Sequence, residues 1–252
     1  MLKEIIISIE AYFKAHNFIV KNRLWKWIVI PGVIYAILFV IGIYFFWESS
    51  GDVINYILSE TGLKTWMQKV ESSLLRFVFI LAQLILHLIM MFIYFSWFKY
   101  IFLIIGSPVF AYLSERTAAM IEGKEFPFEF RQFVKDIIRG IGIALRNTLW
   151  QTVYTVSVLI ISLVPVIGWA TPVLALFIEC YYFGFSMLDY SSERNKLSVV
   201  ESIDFIGHHK GLAIGNGIVF YLMHAVPIVG WLLAPSYAVI AATLSLHSLN
   251  KS

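Results

Sequence analysis

Charged residues are scarce in this chain: Asp, Glu, Lys and Arg make up 14% of its 252 residues, against roughly a quarter in an average soluble domain. Hydrophobic residues make up 60%, and the mean hydropathy is +0.80. So few polar side chains do not cover a surface that faces water. The composition therefore predicts an all-α integral membrane protein, because helices satisfy their own backbone hydrogen bonds in an apolar medium.

Other absences narrow the function. The chain has one cysteine, Cys180, which excludes an internal disulfide, and its apolar surroundings predict a buried packing role. No His-Glu-x-x-His, Walker or Gly-x-Ser-x-Gly motif and no Cys/His cluster occurs, so we expect neither an enzyme nor a metal or cofactor site. Its basic residues flank the apolar runs, which favours lipid headgroups as partners over nucleic acid.

Two apolar runs in the first half of the chain are long enough to cross a bilayer. Residues 27–47 and 77–98 contain no Asp, Glu, Lys or Arg, and about 20 residues cross an apolar layer of about 30 Å as a helix. We place the spans at 27–47 and 74–105, within a single membrane domain covering 1–252. Residues 1–26 mix apolar and charged side chains, which is typical of a helix lying in the membrane interface.

The Lys and Arg distribution predicts the orientation. Five precede the first span, two lie between the spans, and six occur within 106–147. The positive-inside rule then places the N-terminus in the cytoplasm. Residues 107–147 are expected to form amphipathic cytoplasmic helices, in a multi-pass protein.

Two charge-free turns of almost the same sequence occur in the second half, "LVPVIGWATPVL" from Leu163 and "AVPIVGWLLAPSY" from Ala225. They predict helical hairpins over 148–188 and 211–249, joined by a cytoplasmic connection over 189–210. Legs of 14 to 17 residues reach only about 21 to 26 Å, so the hairpins are expected to enter the membrane without crossing it. Two hairpins that cross fully are the alternative. The structural residues of these turns are Pro165, Gly168, Pro172, Pro227, Gly230 and Pro235, with Pro172 and Pro235 expected to start the second legs.

Ser107 and Pro108 predict a helix start at the cytoplasmic end of the second span, with Ser as the N-cap and Pro as the first helical residue. Free N–H groups there, with Arg23 and Lys26 entering from the same side, would suit an anion. The alternative is an ordinary capped helix with interfacial cations. Glu179, at membrane depth, is either functional or a polar packing contact.

The two turns, "LDYSSERNKLSVVE" from Leu188 and "SPVFAYLSE" from Ser107 resemble the CysZ-like and etoposide-induced-protein-like family of membrane proteins. Asp189, Tyr190 and Arg194 resemble the family's intracellular signature. The resemblance implies two long transmembrane helices, two partly penetrating hairpins and a homo-oligomer in the bacterial inner membrane.

The resemblance also implies a function: passage of a small inorganic anion, with sulfate as the family's example. It adds Val109, Ala111, Leu113 and Glu115 to the anion-binding residues. Family members carry Gly-Leu-Leu-Ala-Glu where this chain has Ala-Tyr-Leu-Ser-Glu, and an Arg pair where it has Trp25-Lys26. A membrane scaffold or envelope-interaction protein of the same fold, which transports nothing, is therefore the alternative.

Overall fold

The computed structural model describes residues 1–62, 65–66, 72–123, 129–164, 166–194 and 197–249. All regular structure in these ranges is helical, without a strand, which confirms the predicted all-α class. The helices are α1 (Leu2–Lys21), α2 (Trp25–Glu60), α3 (Ser73–Glu122), α4 (Phe130–Ser162), a 3-10 turn (Ile167–Ala170), α5 (Thr171–Arg194), α6 (Val199–His208), α7 (Lys210–His224) and α8 (Val229–Leu249).

Four segments are long and apolar enough to cross a membrane. They are Trp25–Glu60, Ser73–Glu122, Ile167–Ser192 and Val229–Leu249. The first two contain the predicted spans, and the last two contain the second leg of each predicted hairpin. A chain with these segments is a multi-pass membrane protein.

The two longest helices extend well beyond the predicted spans. α2 continues past residue 47 because polar residues there keep the helical pattern: the Ser49 hydroxyl donates to the carbonyl of Phe45 at 2.7 Å. Gly62 and Gly123 follow the ends of α2 and α3 with φ of +68° and +65°. Glycine tolerates this left-handed backbone, which ends a helix, at little cost.

The predicted boundary near residue 147 is absent. Residues 107–122 are the last turns of α3, whereas α4 runs without a break from Phe130 to Ser162. The predicted cytoplasmic helix and the first leg of the hairpin are thus one helix in its second part. Charge alone does not end a helix, and no proline or turn glycine interrupts this segment.

The chain divides into two compact units, one formed by Met1–Ala36 with Tyr100–Ser252 and the other by Ile37–Lys99. In the smaller unit the Tyr94 hydroxyl donates to the carbonyl of Gly42 at 2.6 Å. Aromatic rings fill the same contact, with 5.4 Å between the ring centroids of Phe39 and Phe95. This unit is a pair of apolar helical segments joined by aromatic packing.

In the larger unit α7 packs against α1, α5 and α8, and α4 packs against α5. Two glycines allow close approach: a Cβ at Gly184 would overlap the carbonyl oxygen of Ala213, and one at Gly217 would overlap that of Cys180. Phe183 and Phe220 stack between α5 and α7 with centroids 3.7 Å apart. Small residues at such contacts are how helices in lipid gain packing area.

The first turn joins α4 to α5. Val166 has φ of +72°, and the Gly168 N–H donates to the carbonyl of Val164 at 2.8 Å. Pro172 is the second residue of α5, one position from the predicted start of that leg. Pro165 lies outside the described residues.

The second turn differs from the sequence-based expectation. Ile228 has φ of +64° and α8 begins at Val229, so Pro235 lies inside the helix and does not start it. The helix starts earlier because the N–H of Gly230 already bonds to the carbonyl of Val226, the residue before Pro227, at 2.9 Å. Two turns of nearly the same sequence thus join their helices differently.

Between the hairpins α6 begins with a capping box. The Ser198 hydroxyl accepts the N–H of Glu201 at 3.3 Å, and the Ser198 N–H donates to the Glu201 carboxylate at 2.7 Å. The hydrogen bond from the Ser198 backbone lowers the pKa of Glu201 below its ordinary value. These two bonds satisfy N–H groups that the first turn of a helix leaves unpaired.

Candidate functional site

The two predicted cations lie where the chain enters the first span. Arg23 is in the turn between α1 and α2 with φ of +54°, and Lys26 is in the first turn of α2; both side chains are exposed. The N–H of Trp27 bonds to the carbonyl of Leu24 at 3.0 Å. The start of α2 is therefore a basic helix N-terminus, where the helix dipole favours a negative charge.

The predicted helix start at Ser107 is wrong. Ser107 and Pro108 lie inside α3, and Ser107 is fully buried. Pro108 has no N–H to donate to the carbonyl of Ile104 four residues earlier. The Ser107 hydroxyl donates to that same oxygen at 2.9 Å, so the serine compensates for the proline and α3 continues.

The structure nevertheless brings the two predicted segments together. Trp27 in α2 and Tyr112 in α3 lie in contact, with ring centroids 4.3 Å apart. The guanidinium carbon of Arg116 is 5.8 Å from the centroid of each ring, and one of its amino groups donates to the Tyr112 hydroxyl at 2.5 Å. The two aromatic rings hold a cation beside the start of α2.

The guanidinium has unused bonding capacity. Arg116 is partly buried, and its Nε is buried without a hydrogen-bond partner among the described residues. Sequence analysis counted Arg116 only as a topological charge and missed it as a site residue. The available signal was its spacing, since a side chain four residues after Tyr112 lies on the same helix face.

The remaining predicted anion-binding residues have other surroundings. Ala111 and Leu113 are buried in the core, whereas Val109 and Glu115 are only partly buried. The intervening Ser114 is also buried and forms a hydroxyl cluster with Ser191 and Thr243. The three oxygens are 2.8 to 3.3 Å apart. The Ala-Tyr-Leu-Ser-Glu segment thus joins α3 to α5 and α8 through its small polar side chain.

Asp189 is a buried clasp between three helices. Its carboxylate accepts the guanidinium of Arg139 in α4 at 2.9 Å and the hydroxyl of Ser202 in α6 at 2.5 Å. Arg139 also donates to the carbonyl of Leu197. The sequence analysis associated Asp189 with Arg194, whose side chain lies outside the described residues. The structure supplies an arginine from α4, which aligned with Asp189 only on folding.

Tyr190, the next residue of the predicted signature, faces the other side of α5. Its hydroxyl donates to the carbonyl of Leu103 at 3.3 Å, and its ring lies 5.8 Å from that of Phe110. The Asp-Tyr pair therefore connects α5 to α4 and α6 through one residue and to α3 through the next. This arrangement is architectural.

Glu179 lies in a hydrogen-bonded chain that joins four helices. Its two carboxyl oxygens accept the Gln151 amide of α4 and the Tyr221 hydroxyl of α7, the latter at 2.9 Å. The Tyr100 hydroxyl of α3 donates to the same glutamine. With each of these polar groups used for packing contacts between helices, the geometry favours the packing role of Glu179.

Polar contacts recur along the first hairpin. Below the Arg139–Asp189 pair, the Asn147 amide donates to the Ser186 hydroxyl at 3.0 Å, and the Gln151–Glu179 contact follows. Asn147 and Gln151 are four residues apart and so lie on one face of α4. Within the residues that the structure describes, no group of three His, Cys, Asp or Glu side chains is placed to hold a metal ion.

Comparison with known proteins places this architecture in a family. Residues 11–235 match the family model described as sulfate transporter CysZ/etoposide-induced protein 2.4. The chain is 27% identical to the sulfate transporter CysZ of Pseudomonas aeruginosa PAO1 over 169 residues, 66% of this chain and 68% of that protein. It is 26% identical to that of Pseudomonas syringae pv. tomato DC3000 over 187 residues, 73% of each.

A third relative is matched over a shorter part. The sulfate transporter CysZ of Pseudomonas fluorescens Pf-5 is 25% identical over 143 residues, and the chain spans 57% of its length. The family model covers most of the present chain, including both quoted turns and the Asp189 clasp. This multi-pass, all-helical protein belongs to the sulfate transporter CysZ/etoposide-induced protein 2.4 family.

Proposed function

We propose that this protein moves a small inorganic anion, with sulfate as the first candidate, across the bacterial inner membrane. The observation that carries the proposal is the position of Arg116 between Trp27 and Tyr112, at the basic start of α2. The relatives described as sulfate transporters support the choice of anion.

The chemistry of the proposed site suits an oxyanion. An anion entering the membrane loses water, and it requires hydrogen-bond donors and positive charge in place of that water. Arg116 offers a buried N–H without a partner among the described residues, and α2 offers the positive end of its dipole. Arg23 and Lys26, both exposed, attract anions from the aqueous side. The rings of Trp27 and Tyr112 keep the guanidinium in place.

We further infer that both hairpins enter the membrane from the cytoplasm and return to it, and that the N-terminus is cytoplasmic. α7 has 15 residues, about 22 Å of helix, against about 30 Å of apolar layer. The tip of the first hairpin is apolar and outward facing, since Trp169 is 90% exposed. Such a tip favours lipid over water. The α3 window in the second span is entirely exposed in one copy of the chain, which favours a homo-oligomer.

The second candidate function is a membrane scaffold. The observation in its favour is the altered segment: Ala111, Leu113 and Ser114 are buried in the helical core and do not face a path. A protein that used this segment only for packing would keep the fold without transport.

The test is uptake of radiolabelled sulfate by proteoliposomes containing the full chain. We expect uptake above that of empty vesicles, suppressed by excess unlabelled sulfate. Arg116→Gln should lower it by about tenfold or more, since hydrogen bonds to charged groups contribute about 1.5–3 kcal/mol and 1.4 kcal/mol is a factor of ten. Lys14→Gln, at an exposed residue of α1, is the matched control and should transport normally.

Two results would contradict the assignment. Normal uptake by the Arg116→Gln protein would remove Arg116 from the anion path. Absence of uptake by the unaltered chain, with its orientation and folding verified, together with copurification of a stoichiometric partner, would establish the scaffold function.

A further inference from the structure

Helix α1 has two faces with different surroundings. Ser8, Ala11, Tyr12, Ala15 and Ile19 form its buried face, which packs against α7 and α8. The opposite face contains apolar residues that nothing in the chain covers among the described residues. These are Leu2, Ile6, Phe13 and Val20, which are 76%, 53%, 72% and 51% exposed.

Specific hydrogen bonds fix which face points outward. The hydroxyls of Ser8 and Tyr12 donate to the carbonyls of Leu212 and Asn216 in α7, each at 2.8 Å. Burial raises the pKa of Tyr12 well above its ordinary value, so this hydroxyl stays protonated as the donor. With these bonds formed, α1 cannot rotate to bury its outer face.

The N-terminal end of α1 is attached to the same helix. The Glu4 carboxylate accepts the Gly211 N–H at 3.1 Å and contacts the Nδ1 of His209 at 2.8 Å. His209 is the N-cap residue of α7 and its own side chain makes no capping bond. Glu4 therefore supplies, from 207 residues earlier in the chain, the acceptor that the start of α7 requires.

The outer face combines an apolar stripe with a basic edge. At 100° per residue, positions 2, 6, 13 and 20 lie within about 40° of one another on the helix. Lys3, Lys14 and Lys21 follow along one side of that stripe and are exposed. Glu10 lies on this side too and pairs with Lys14 at 3.7 Å. Three lysines against one glutamate leave this edge with a net charge of +2.

The position of α1 says what covers this face. α1 ends at Lys21 and the apolar helix α2 begins at Trp25, so α1 lies at the level where the chain enters the membrane. Trp25 and Trp27 are exposed there, as expected of residues at a membrane interface. An apolar stripe with lysines beside it fits the boundary between acyl chains and anionic headgroups.

We propose that the outward face of α1 is a docking surface for anionic membrane lipid. Leu2, Ile6, Phe13 and Val20 insert among the acyl chains, and Lys3, Lys14 and Lys21 bind the lipid phosphate groups. Because Glu4 caps α7, lipid bound to α1 also steadies the start of the second hairpin. This surface is independent of anion transport.

The test measures the depth of α1 in the full chain, reconstituted in vesicles of phosphatidylcholine with or without about one-third phosphatidylglycerol. A nitroxide is attached at Phe13→Cys, and at Lys14→Cys as the matched control one residue away. The unaltered chain is the labelling blank, because Cys180 is buried. We expect the label at 13 to collide severalfold more often with oxygen, relative to a water-soluble nickel chelate, than the label at 14.

The basic edge is tested by Lys3→Gln, Lys14→Gln and Lys21→Gln combined with the label at 13. In vesicles with phosphatidylglycerol the label should move toward water, lowering its oxygen-to-nickel ratio by about twofold or more. In phosphatidylcholine alone the same changes should have no effect. Equal responses in both lipids would show that anionic headgroups are not recognised.

Two outcomes would overturn the docking surface. If the labels at 13 and 14 were equally accessible to the nickel chelate, the apolar stripe would face water. If the label at 13 were immobilised and shielded from both reagents in either lipid, a second copy of the chain would cover this face. Circular dichroism of each variant confirms that its helices have formed.

Discussion

At the residue scale, the buried ion pair shows how one side chain organises several helices. Asp189 is 2% exposed and accepts donors from α4 and α6. Buried pairs often add little net stability, because desolvation offsets attraction, but removing one partner leaves the other charge uncompensated. The clasp therefore specifies which helices meet more than it strengthens the fold.

This argument predicts the effect of Asp189→Asn. Arg139 would keep its buried charge without a carboxylate, and we expect a loss of about 3–5 kcal/mol in the free energy of unfolding. Thermal unfolding in detergent measures it as a lower midpoint. Asp204→Asn is the control, since Asp204 is 75% exposed and its surface pair with His208 contributes at most about 1 kcal/mol. Equal midpoints for the two variants would contradict the clasp.

Ser107 illustrates a limit of sequence analysis at the same scale. Serine before proline has the pattern of a helix start, and the N-cap expectation followed from it. The serine hydroxyl bonds instead to the carbonyl that Pro108 leaves without a donor. The choice depends on whether the flanking helices have room to continue, which is a property of tertiary packing.

At the element scale, close helix crossings depend on glycine. Gly217 of α7 lies against the backbone of Cys180 in α5, with no room for a side chain. Gly142 of α4 has no atom within 4 Å of its would-be Cβ. The two glycines are both helical, so their helix propensities are comparable and their surroundings differ.

The same substitution is expected to have opposite effects at these two positions. Gly217→Ala should destabilise the protein by about 1–3 kcal/mol, because the helices must move apart. Gly142→Ala should stabilise it by up to about 1 kcal/mol through helix propensity. Thermal unfolding in detergent measures both. A stabilising Gly217→Ala would show that the α5–α7 crossing is looser than described.

The helical hairpins are also determined at this scale, and only in part by sequence. The prolines and glycines correctly predicted two turns, because these residues end helices in any environment. The start of α8 was missed. Pro235 is tolerated within that helix, and the hydrogen bonds of Gly230 and Leu232 fix an earlier start.

At the scale of the whole molecule, membrane depth is the property that sequence and fold must decide together. Trp169 marks the tip of the first hairpin, and Val200 in α6 is exposed between the hairpins. If the hairpins are re-entrant, the tip lies in the apolar layer, whereas α6 lies in the cytoplasm.

Cysteines at these two positions test the topology. We expect Trp169→Cys to resist a membrane-impermeant maleimide in both spheroplasts and inside-out vesicles. Val200→Cys should react only in inside-out vesicles. Both should react in detergent, which controls for reactivity. Reaction of Trp169→Cys in spheroplasts would establish a hairpin that crosses the membrane, and reaction of Val200→Cys there would reverse the proposed orientation.

By itself the sequence determined the solvent, the helical class, two of the apolar spans and the positions of the two turns. These follow from composition, run length and local backbone preferences, which act over about 20 residues or fewer. The family resemblance rests on the same local segments.

Only the tertiary structure decided which distant side chains meet. Arg139 reaches Asp189 across 50 positions, Glu4 caps α7 across 207, and Arg116 lies between Trp27 and Tyr112. Such contacts depend on how the helices cross and rotate, which is set by the packing of their buried faces. The local sequence around each residue contains no record of its partner, so the candidate site became visible only in the fold.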